Sequence, residues 1–203
     1  MSTPRGEVDF YFEFSSPYGY IASRLAGDFE KRIGRRLHWR PILLGPMFKV
    51  TGQAPLTEIP LKGEYSKRDF TRTARFHQVP YNHPAKFPIG TVAAGRAFYW
   101  LHDRDAAAAQ SLARALYEAY FVRGVDIGGA AAVIDIAKAQ GVDAAALAAA
   151  LEDPAVKDRV RKEVDAALAA GVFGSPFFIV DGEPFWGVDR MPMLEEWIRR
   201  GGW

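Results

Sequence analysis

The sequence of 203 residues contains no cysteine, which excludes disulfides, thiolate metal sites and a cysteine nucleophile or redox pair within the chain. The first residues, MSTPRGEVDF, have no apolar h-region and no small-residue cleavage site, so we expect no signal segment there. No uninterrupted apolar run approaches the roughly 20 residues of a membrane-spanning helix. Charge of one sign is not in excess, because 26 basic and 24 acidic residues leave a formal net charge of +2. We therefore expect a cytoplasmic protein that binds neither a membrane nor nucleic acid.

Several common catalytic and metal-binding motifs are missing as well. The four histidines are scattered without H-x-x-x-H or H-E-x-x-H spacing, so no metal site is expected. The absence of G-x-S-x-G, of a P-loop and of G-x-G-x-x-G excludes the common hydrolase, nucleotide-binding and dinucleotide-binding interpretations.

The amino-terminal part of the sequence predicts a βαβ unit. Residues 7–14, EVDFYFEF, alternate in the period of two that is typical of a strand. A helix is predicted over residues 18–33, with Ser15 or Ser16 as its N-cap. A second strand over residues 37–43 follows directly.

The carboxy-terminal part predicts a ββα unit. Residues 175–180 form a short apolar strand, residues 181–182 are the Asp-Gly pair favoured in hairpin turns, and residues 184–187 form the partner strand. The final helix is predicted to open at Asp189.

The middle of the chain is predicted to be an insertion into one α/β core. Residues 44–62 contain three prolines and two glycines and are expected to form an ordered loop. We expect a single domain over residues 1–203, with residues 44–165 as loop plus helical insertion. The helices predicted after the loop span residues 65–76, 91–102, 107–122, 127–139, 144–151 and 154–170.

The strongest candidate site is Ser16-Pro17-Tyr18-Gly19, where the first strand meets its helix. A helix N-terminus stabilises an anion, and thioredoxin-like folds place a reactive Cys-x-x-Cys at this location. Here Ser16 and Gly19 replace both cysteines, so the hydroxyl of Ser16 can only donate a hydrogen bond to the sulfur of another molecule, such as glutathione. The alternative is that Ser16 only caps the helix.

Two further motifs offer groups to a peptide-like ligand. If the bond between Ser175 and Pro176 is cis, the backbone of Ser175 faces outward, although the trans form is far commoner. Asp189 either caps the last helix, which its residue type favours, or faces the ammonium of a γ-glutamyl group. Lys49 and Lys62 could each bind a carboxylate, although a single lysine is more often exposed to solvent.

Six segments carry a resemblance to a known family. In chain order they are SSPYGYIA, RPILLGPMFKVTG, PLKGEYSKRDFTR, FPIGT, GVFGSPFFIVDG and FWGVDRM. Together they resemble the 2-hydroxychromene-2-carboxylate isomerases, relatives of the kappa-class glutathione transferases in the DsbA-like branch of the thioredoxin superfamily. The resemblance implies an α/β, DsbA-like thioredoxin fold (βαβ…ββα) with a large all-helical insertion, glutathione as cofactor, a small aromatic carboxylate as substrate, and a homodimer.

The resemblance also implies roles for individual residues. Ser16 would be catalytic and contact the glutathione sulfur, and Ser175, before a cis Pro176, would pair with the glutathione backbone. The residues implied for glutathione are Ser16, Pro17, Tyr18, Ser175, Pro176, Trp186, Gly187, Val188 and Asp189. Those implied for the substrate are Phe48, Lys49 and Lys62, and which lysine serves glutathione stays open.

Three functions follow from these observations. The first is a glutathione-dependent isomerase that converts 2-hydroxychromene-2-carboxylate, or a similar hemiketal, to trans-o-hydroxybenzylidenepyruvate by reversible thiolate addition. The second is a kappa-type glutathione transferase, which consumes glutathione. The third is a non-catalytic thioredoxin-like module that binds peptides.

Overall fold

The two ends of the chain build one sheet in the computed structural model, which describes residues 6–203. Within these residues the sheet has four strands in the order β2-β1-β3-β4. β1 pairs parallel with β2 and antiparallel with β3, and β4 is antiparallel to β3. The strands are β1 (Glu7–Phe12), β2 (Arg36–Pro41), β3 (Phe177–Val180) and β4 (Glu183–Trp186).

Helices surround the sheet and fill the middle of the chain, as expected for a DsbA-like thioredoxin fold with a helical insertion. None of those in the described part of the chain is long and apolar enough to span a membrane. The helices are α1 (Pro17–Ile33), α2 (Leu44–Thr51), α3 (Lys62–Phe76), α4 (Val92–His102), α5 (Ala106–Phe121), α6 (Ala130–Ala139), α7 (Ala144–Glu152), α8 (Pro154–Ala169) and α9 (Met191–Arg200).

The central strand β1 is buried on both faces, because its successive side chains point to opposite sides and residues 8–14 are all buried. The Phe10 ring stacks on Phe178 of β3 with centroids 5.1 Å apart. Tyr117 of α5 packs against Phe12 and Phe14. The chain that leaves β1 is therefore fixed inside the protein where it turns into α1.

Ser16 is the N-cap of α1, which decides between the two predicted caps. Its Oγ accepts a hydrogen bond from the backbone N–H of Gly19 at 3.0 Å. The Ser15 hydroxyl accepts instead from the backbone N–H of Ile89 at 3.1 Å. Helix α1 ends at Gly34, whose φ of 65° is left-handed, as the glycine predicts.

The prediction of a loop without regular elements over residues 44–62 is wrong. Helix α2 begins at Leu44, and residues 56–58 form a 3₁₀ turn. Pro46 lies in the first turn of α2, where a missing N–H breaks no helical hydrogen bond. Gly52 ends the helix with a left-handed φ of 69°, so proline and glycine bound this helix rather than prevent it.

Some predicted boundaries also shift. The first strand ends at Phe12 rather than at residue 14, and the last helix begins at Met191, after a 3₁₀ turn over Val188–Arg190. The hairpin turn is confirmed, since Asp181 and Gly182 both have positive φ, as the favoured two-residue turn requires.

Candidate active site

A cleft of about 1080 Å³ lies at the start of α1, next to α2 and α3. Its wall is largely apolar, and it brings together residues that are far apart in the sequence. Among the predicted site residues, the cleft is lined by Ser16, Pro17, Tyr18, Phe48, Lys62, Ser175, Pro176, Trp186, Gly187, Val188 and Asp189. Lys49 does not line the cleft and is exposed on α2.

The Ser16 hydroxyl joins the first two sequence motifs. Ser16 is only 6% exposed, and its Oγ donates to the backbone carbonyl of Ser175 at 3.0 Å while it accepts from Gly19. The backbone N–H of Ser16 donates to the carbonyl of Glu13 at 2.9 Å. Ser16 therefore caps the helix and also contacts the second motif, which capping alone does not require.

The peptide bond between Ser175 and Pro176 is cis. The Ser175 hydroxyl accepts from the backbone N–H of Glu13 at 2.9 Å, and the Pro176 carbonyl accepts from the N–H of Gly187 at 3.0 Å. The cis form, which general frequencies disfavour, is therefore the one present. It places the Ser175 carbonyl beside the Ser16 hydroxyl.

Residues 186–189, which include Trp186 and Asp189, form the rim of the cleft. Trp186 is about half exposed and its ring lies 4.8 Å from that of Phe173. A side chain on Gly174 would place its Cβ 2.2 Å from the indole Nε1, so only glycine fits under this ring. Trp186 is thereby held as an accessible aromatic surface at the mouth of the site.

The expectation that Asp189 caps the last helix is wrong. Neither the 3₁₀ turn nor α9 has a side-chain cap. Asp189 lies inside the 3₁₀ turn, and its Oδ2 accepts from Arg190 Nη1 at 3.0 Å. The carboxylate is 71% exposed at the rim of the cleft, where a ligand can reach it.

Tyr18 is fixed by α3, an interaction that the sequence did not reveal. Its hydroxyl donates to Asp69, and its ring meets that of Phe70 at 5.1 Å. Burial and the neighbouring carboxylate raise the pKa of Tyr18 well above its ordinary value. Tyr18 therefore stays neutral and presents its ring to the cleft.

Glu13 is a second residue that the sequence analysis missed. Its side chain borders the cleft but is only 5% exposed. One carboxylate oxygen, Oε2, accepts from the N–H of Ser15 at 2.7 Å, and the Thr91 hydroxyl donates to the other. Burial raises the pKa of Glu13 to about 7, against the lowering effect of these hydrogen bonds. The sequence signal that could have identified this residue is a glutamate two positions before Ser-Ser-Pro.

Comparison with known proteins agrees with this geometry. The family model for the DSBA-like thioredoxin domain matches residues 7–199. A 2-hydroxychromene-2-carboxylate isomerase of Sphingobium xenophagum is 31% identical, over 94% of this chain and 97% of the relative. The chain belongs to the DSBA-like thioredoxin family, in the branch that contains these isomerases. This DSBA-like protein is therefore an enzyme.

This DSBA-like enzyme is also similar to two further proteins. A solved structure of a 2-hydroxychromene-2-carboxylate isomerase superposes with a TM-score of 0.86 at 26% identity, and covers 96% of this chain and 95% of that one. Glutathione S-transferase kappa 1 of Rattus norvegicus is 26% identical over 94% of this chain and 92% of its own.

The cleft of this DSBA-like enzyme presents the N-terminus of α1, which stabilises an anion. The chain supplies a hydroxyl and helix N–H groups at the start of α1 but no thiol. The volume of the cleft, about 1080 Å³, lies at the upper end of the roughly 300–1,000 Å³ of small-molecule sites. No group of three or more His, Asp or Glu side chains in residues 6–203 is placed to hold a metal ion.

Proposed function

We propose that this enzyme is a glutathione-dependent isomerase that converts 2-hydroxychromene-2-carboxylate, or a similar hemiketal, to trans-o-hydroxybenzylidenepyruvate. The observation that carries the proposal is the buried Ser16 hydroxyl at the N-terminus of α1, 3.0 Å from the Ser175 carbonyl and bordering the cleft. The names of the isomerases that match nearly the whole chain support the same reaction.

The Ser16–Ser175 contact suggests how the hydroxyl becomes free to act. A hydroxyl has one hydrogen, and that of Ser16 is directed at the Ser175 carbonyl. An amide N–H of a peptide-like ligand can replace it as donor to that carbonyl, and the hydroxyl can then turn to the ligand's sulfur. A hydrogen bond to a charged group contributes roughly 1.5–3 kcal/mol, or about one to two pKa units of thiol acidification.

The other cleft residues would hold the remaining parts of the two ligands. Asp189 at the rim can pair with the γ-glutamyl ammonium beside the ring of Trp186. Tyr18 and Phe48 supply an apolar wall for an aromatic substrate. We assign the substrate carboxylate to Lys62, because Lys62 lines the cleft and Lys49 does not.

When bound, glutathione supplies a sulfur nucleophile that adds to a conjugated carbon and leaves again after rotation about the resulting single bond. Ser16 and the N–H groups of the first turn of α1 stabilise negative charge at that position. The apolar wall excludes water around the reacting carbon, which strengthens this stabilisation.

Replacement of Ser16 by alanine tests the proposal. In Ser16→Ala we expect the thiol pKa of bound glutathione, followed by thiolate absorbance, to rise by about one to two units and kcat to fall by roughly 10–100-fold. The control is Asp143→Ala, which removes the N-cap of α7 at a similar cost of about 1 kcal/mol in stability but away from the cleft. Full activity of Ser16→Ala would refute the assigned role.

A kappa-type glutathione transferase is the second candidate, favoured by the rat relative of that name. Product analysis with labelled glutathione separates the two, because an isomerase returns the label to free glutathione and a transferase leaves it in the product. The interpretation as a non-catalytic module is set aside, since the matching relatives are enzymes. Cytoplasmic location, the homodimer and the single domain stay predictions.

A further inference from the structure

Glu13 is an acid buried beside the proposed thiol site without a cation. Among residues 6–203, no lysine, arginine or histidine lies within ion-pair distance of its carboxylate, whose hydrogen bonds come from the Ser15 N–H and the Thr91 hydroxyl. An isolated carboxylate is costly to bury, and a protein normally retains it only with a function or a partner. Both Glu13 and Thr91 border the cleft, as Ser16 does, so the Glu13 side chain and a ligand bound at Ser16 share one cavity.

The groups that face Glu13 leave it as the group that titrates near neutral pH. From α5, the Tyr117 hydroxyl donates to the Glu13 backbone carbonyl at 2.9 Å. Burial, and to a smaller extent the charge of Glu13, holds the pKa of Tyr117 well above its ordinary value. Burial, and to a smaller extent the charge of Glu13, also raises the pKa of Tyr120, on the same helix, to about 12. The charged cleft residues Lys62, Asp69, Asp189 and Arg190 make neither a hydrogen bond nor an ion pair with Glu13.

We propose that Glu13 is the proton acceptor of the site and takes the thiol proton of glutathione when it binds. This inference rests on the proposed function, because it needs a thiol beside Ser16. The S–H bond breaks, its electron pair stays on sulfur, and an O–H bond forms on the Glu13 carboxyl. The cleft thus keeps one negative charge throughout, which moves from the carboxylate to the sulfur.

The environments of the thiol and of Glu13 both favour transfer of the proton from sulfur to the carboxylate. Two anions in one buried space repel each other, so the pair of acids retains one proton between them. The Ser16 hydroxyl and the α1 N-terminus stabilise the charge on sulfur, whereas burial destabilises it on Glu13 and raises its pKa to about 7. The proton therefore resides on the carboxyl while the thiol is ionised.

Proton counting by calorimetry tests this without measuring activity. Glutathione is titrated into the protein in two buffers of different ionisation enthalpy, at pH 6 and at pH 7.5. At pH 6 the thiol of bound glutathione, whose pKa is lowered by only about one to two units from roughly 8.5, stays largely protonated, so we expect little proton release. At pH 7.5 the ionised Glu13 carboxylate of the wild type absorbs the thiol proton, and release to the buffer stays at or below about 0.2 proton. In Glu13→Gln no acceptor is present, so release stays small at pH 6 but rises to roughly 0.7 proton at pH 7.5.

The control ligand is S-methylglutathione, which has no thiol proton and must abolish the difference between the two proteins. Failure of the wild type to bind glutathione would overturn the proposed function itself. Binding with equal proton release by wild type and Glu13→Gln at pH 7.5 would overturn only the role of Glu13.

A second variant is available if Glu13→Gln does not fold. Thr91→Val removes the hydroxyl that favours the ionised form of Glu13, so the pKa of Glu13 must rise further. More of Glu13 is then protonated before glutathione binds, so proton release at pH 7.5 should rise relative to the wild type. An unchanged pH profile in a folded Thr91→Val protein would contradict the proposal.

Discussion

Gly19 lies in the first turn of α1, close to Ser175 and Tyr117. A Cβ on this residue would stand 2.7 Å from Ser175 Oγ and 2.8 Å from the Tyr117 hydroxyl. Both groups are anchored, since Ser175 Oγ accepts from the Glu13 N–H and Tyr117 donates to the Glu13 carbonyl. At the position where a redox thioredoxin-like fold has its second cysteine, this enzyme has no space for a side chain.

We therefore predict that Gly19→Ala lowers the free energy of unfolding by about 1–3 kcal/mol, because the added methyl group overpacks a rigid site. The matched control is Gly27→Ala in the same helix, where nothing lies within 4 Å of the new Cβ. That change should stabilise the protein by roughly 0.5–1 kcal/mol, since alanine favours helix over glycine. Urea unfolding measures both, and equal effects of the two variants would contradict the crowding.

At the residue scale, the sequence limited the N-cap of α1 to Ser15 or Ser16, because serine before a helix with proline in its first turn indicates an N-cap. The structure selects Ser16. The sequence analysis missed Glu13 because strand alternation continues through EVDFYFEF, although β1 ends at Phe12. A glutamate just beyond a strand can turn inward, and only the neighbours Ser15 and Thr91 determine that it does.

Among the elements, helix α3 forms a wall of the cleft and makes a polar contact with α1. Tyr18 donates to Asp69, and Arg72 also contacts the same carboxylate. Burial would raise the pKa of Asp69, but the hydrogen bonds from Tyr18 and Arg72 outweigh it and lower the pKa. The contact therefore stabilises the folded state when Asp69 is ionised.

A double-mutant cycle of Tyr18→Phe and Asp69→Asn should give a coupling energy of about 1 kcal/mol at neutral pH. Because the folded pKa of Asp69 lies below the unfolded value, the coupling is present above about pH 4 and is lost as the pH falls through the folded pKa. Tyr20→Phe is the control, since Tyr20 donates to the backbone carbonyl of Pro80 at 2.7 Å, which does not titrate. Its cost should not change with pH; an equally flat profile for Tyr18→Phe would refute the contact with Asp69.

The elements themselves were predicted best where periodicity and end signals agree, as in α1 and the Asp181-Gly182 hairpin. The segment over residues 44–62 was mispredicted because three prolines in a short segment resemble a loop, whereas Pro46 falls in the one helical turn that tolerates it. The capping of the last helix by Asp189 failed for a similar reason: local residue type does not show whether a neighbour such as Arg190 already binds the side chain.

At the scale of the whole molecule, a buried ionic network connects the sheet to the helical insertion. Arg40 of β2 donates to Asp9 of β1 at 2.6 Å and to Glu163 of α8 at 3.1 Å. Arg159, also on α8, pairs with Glu163 at 3.2 Å. Periodicity cannot reveal such a network, because Arg40 and Glu163 are separated by 123 residues in the sequence and meet only in the fold.

This network predicts that the sheet and the insertion unfold together. Arg40→Met removes a cation that is 8% exposed and leaves the buried carboxylate of Asp9 and the partly buried carboxylate of Glu163 less well compensated, so we expect a loss of about 3 kcal/mol in the free energy of unfolding. Lys31→Met is the control, because Lys31 and Asp28 form an exposed pair whose loss should not move the unfolding midpoint. Far-UV circular dichroism and tryptophan fluorescence should report one coincident transition in urea for the wild type and both variants. Two separate transitions in the wild type would show that the insertion folds independently and would refute the single-domain prediction, and an unshifted midpoint for Arg40→Met would refute the role of the network.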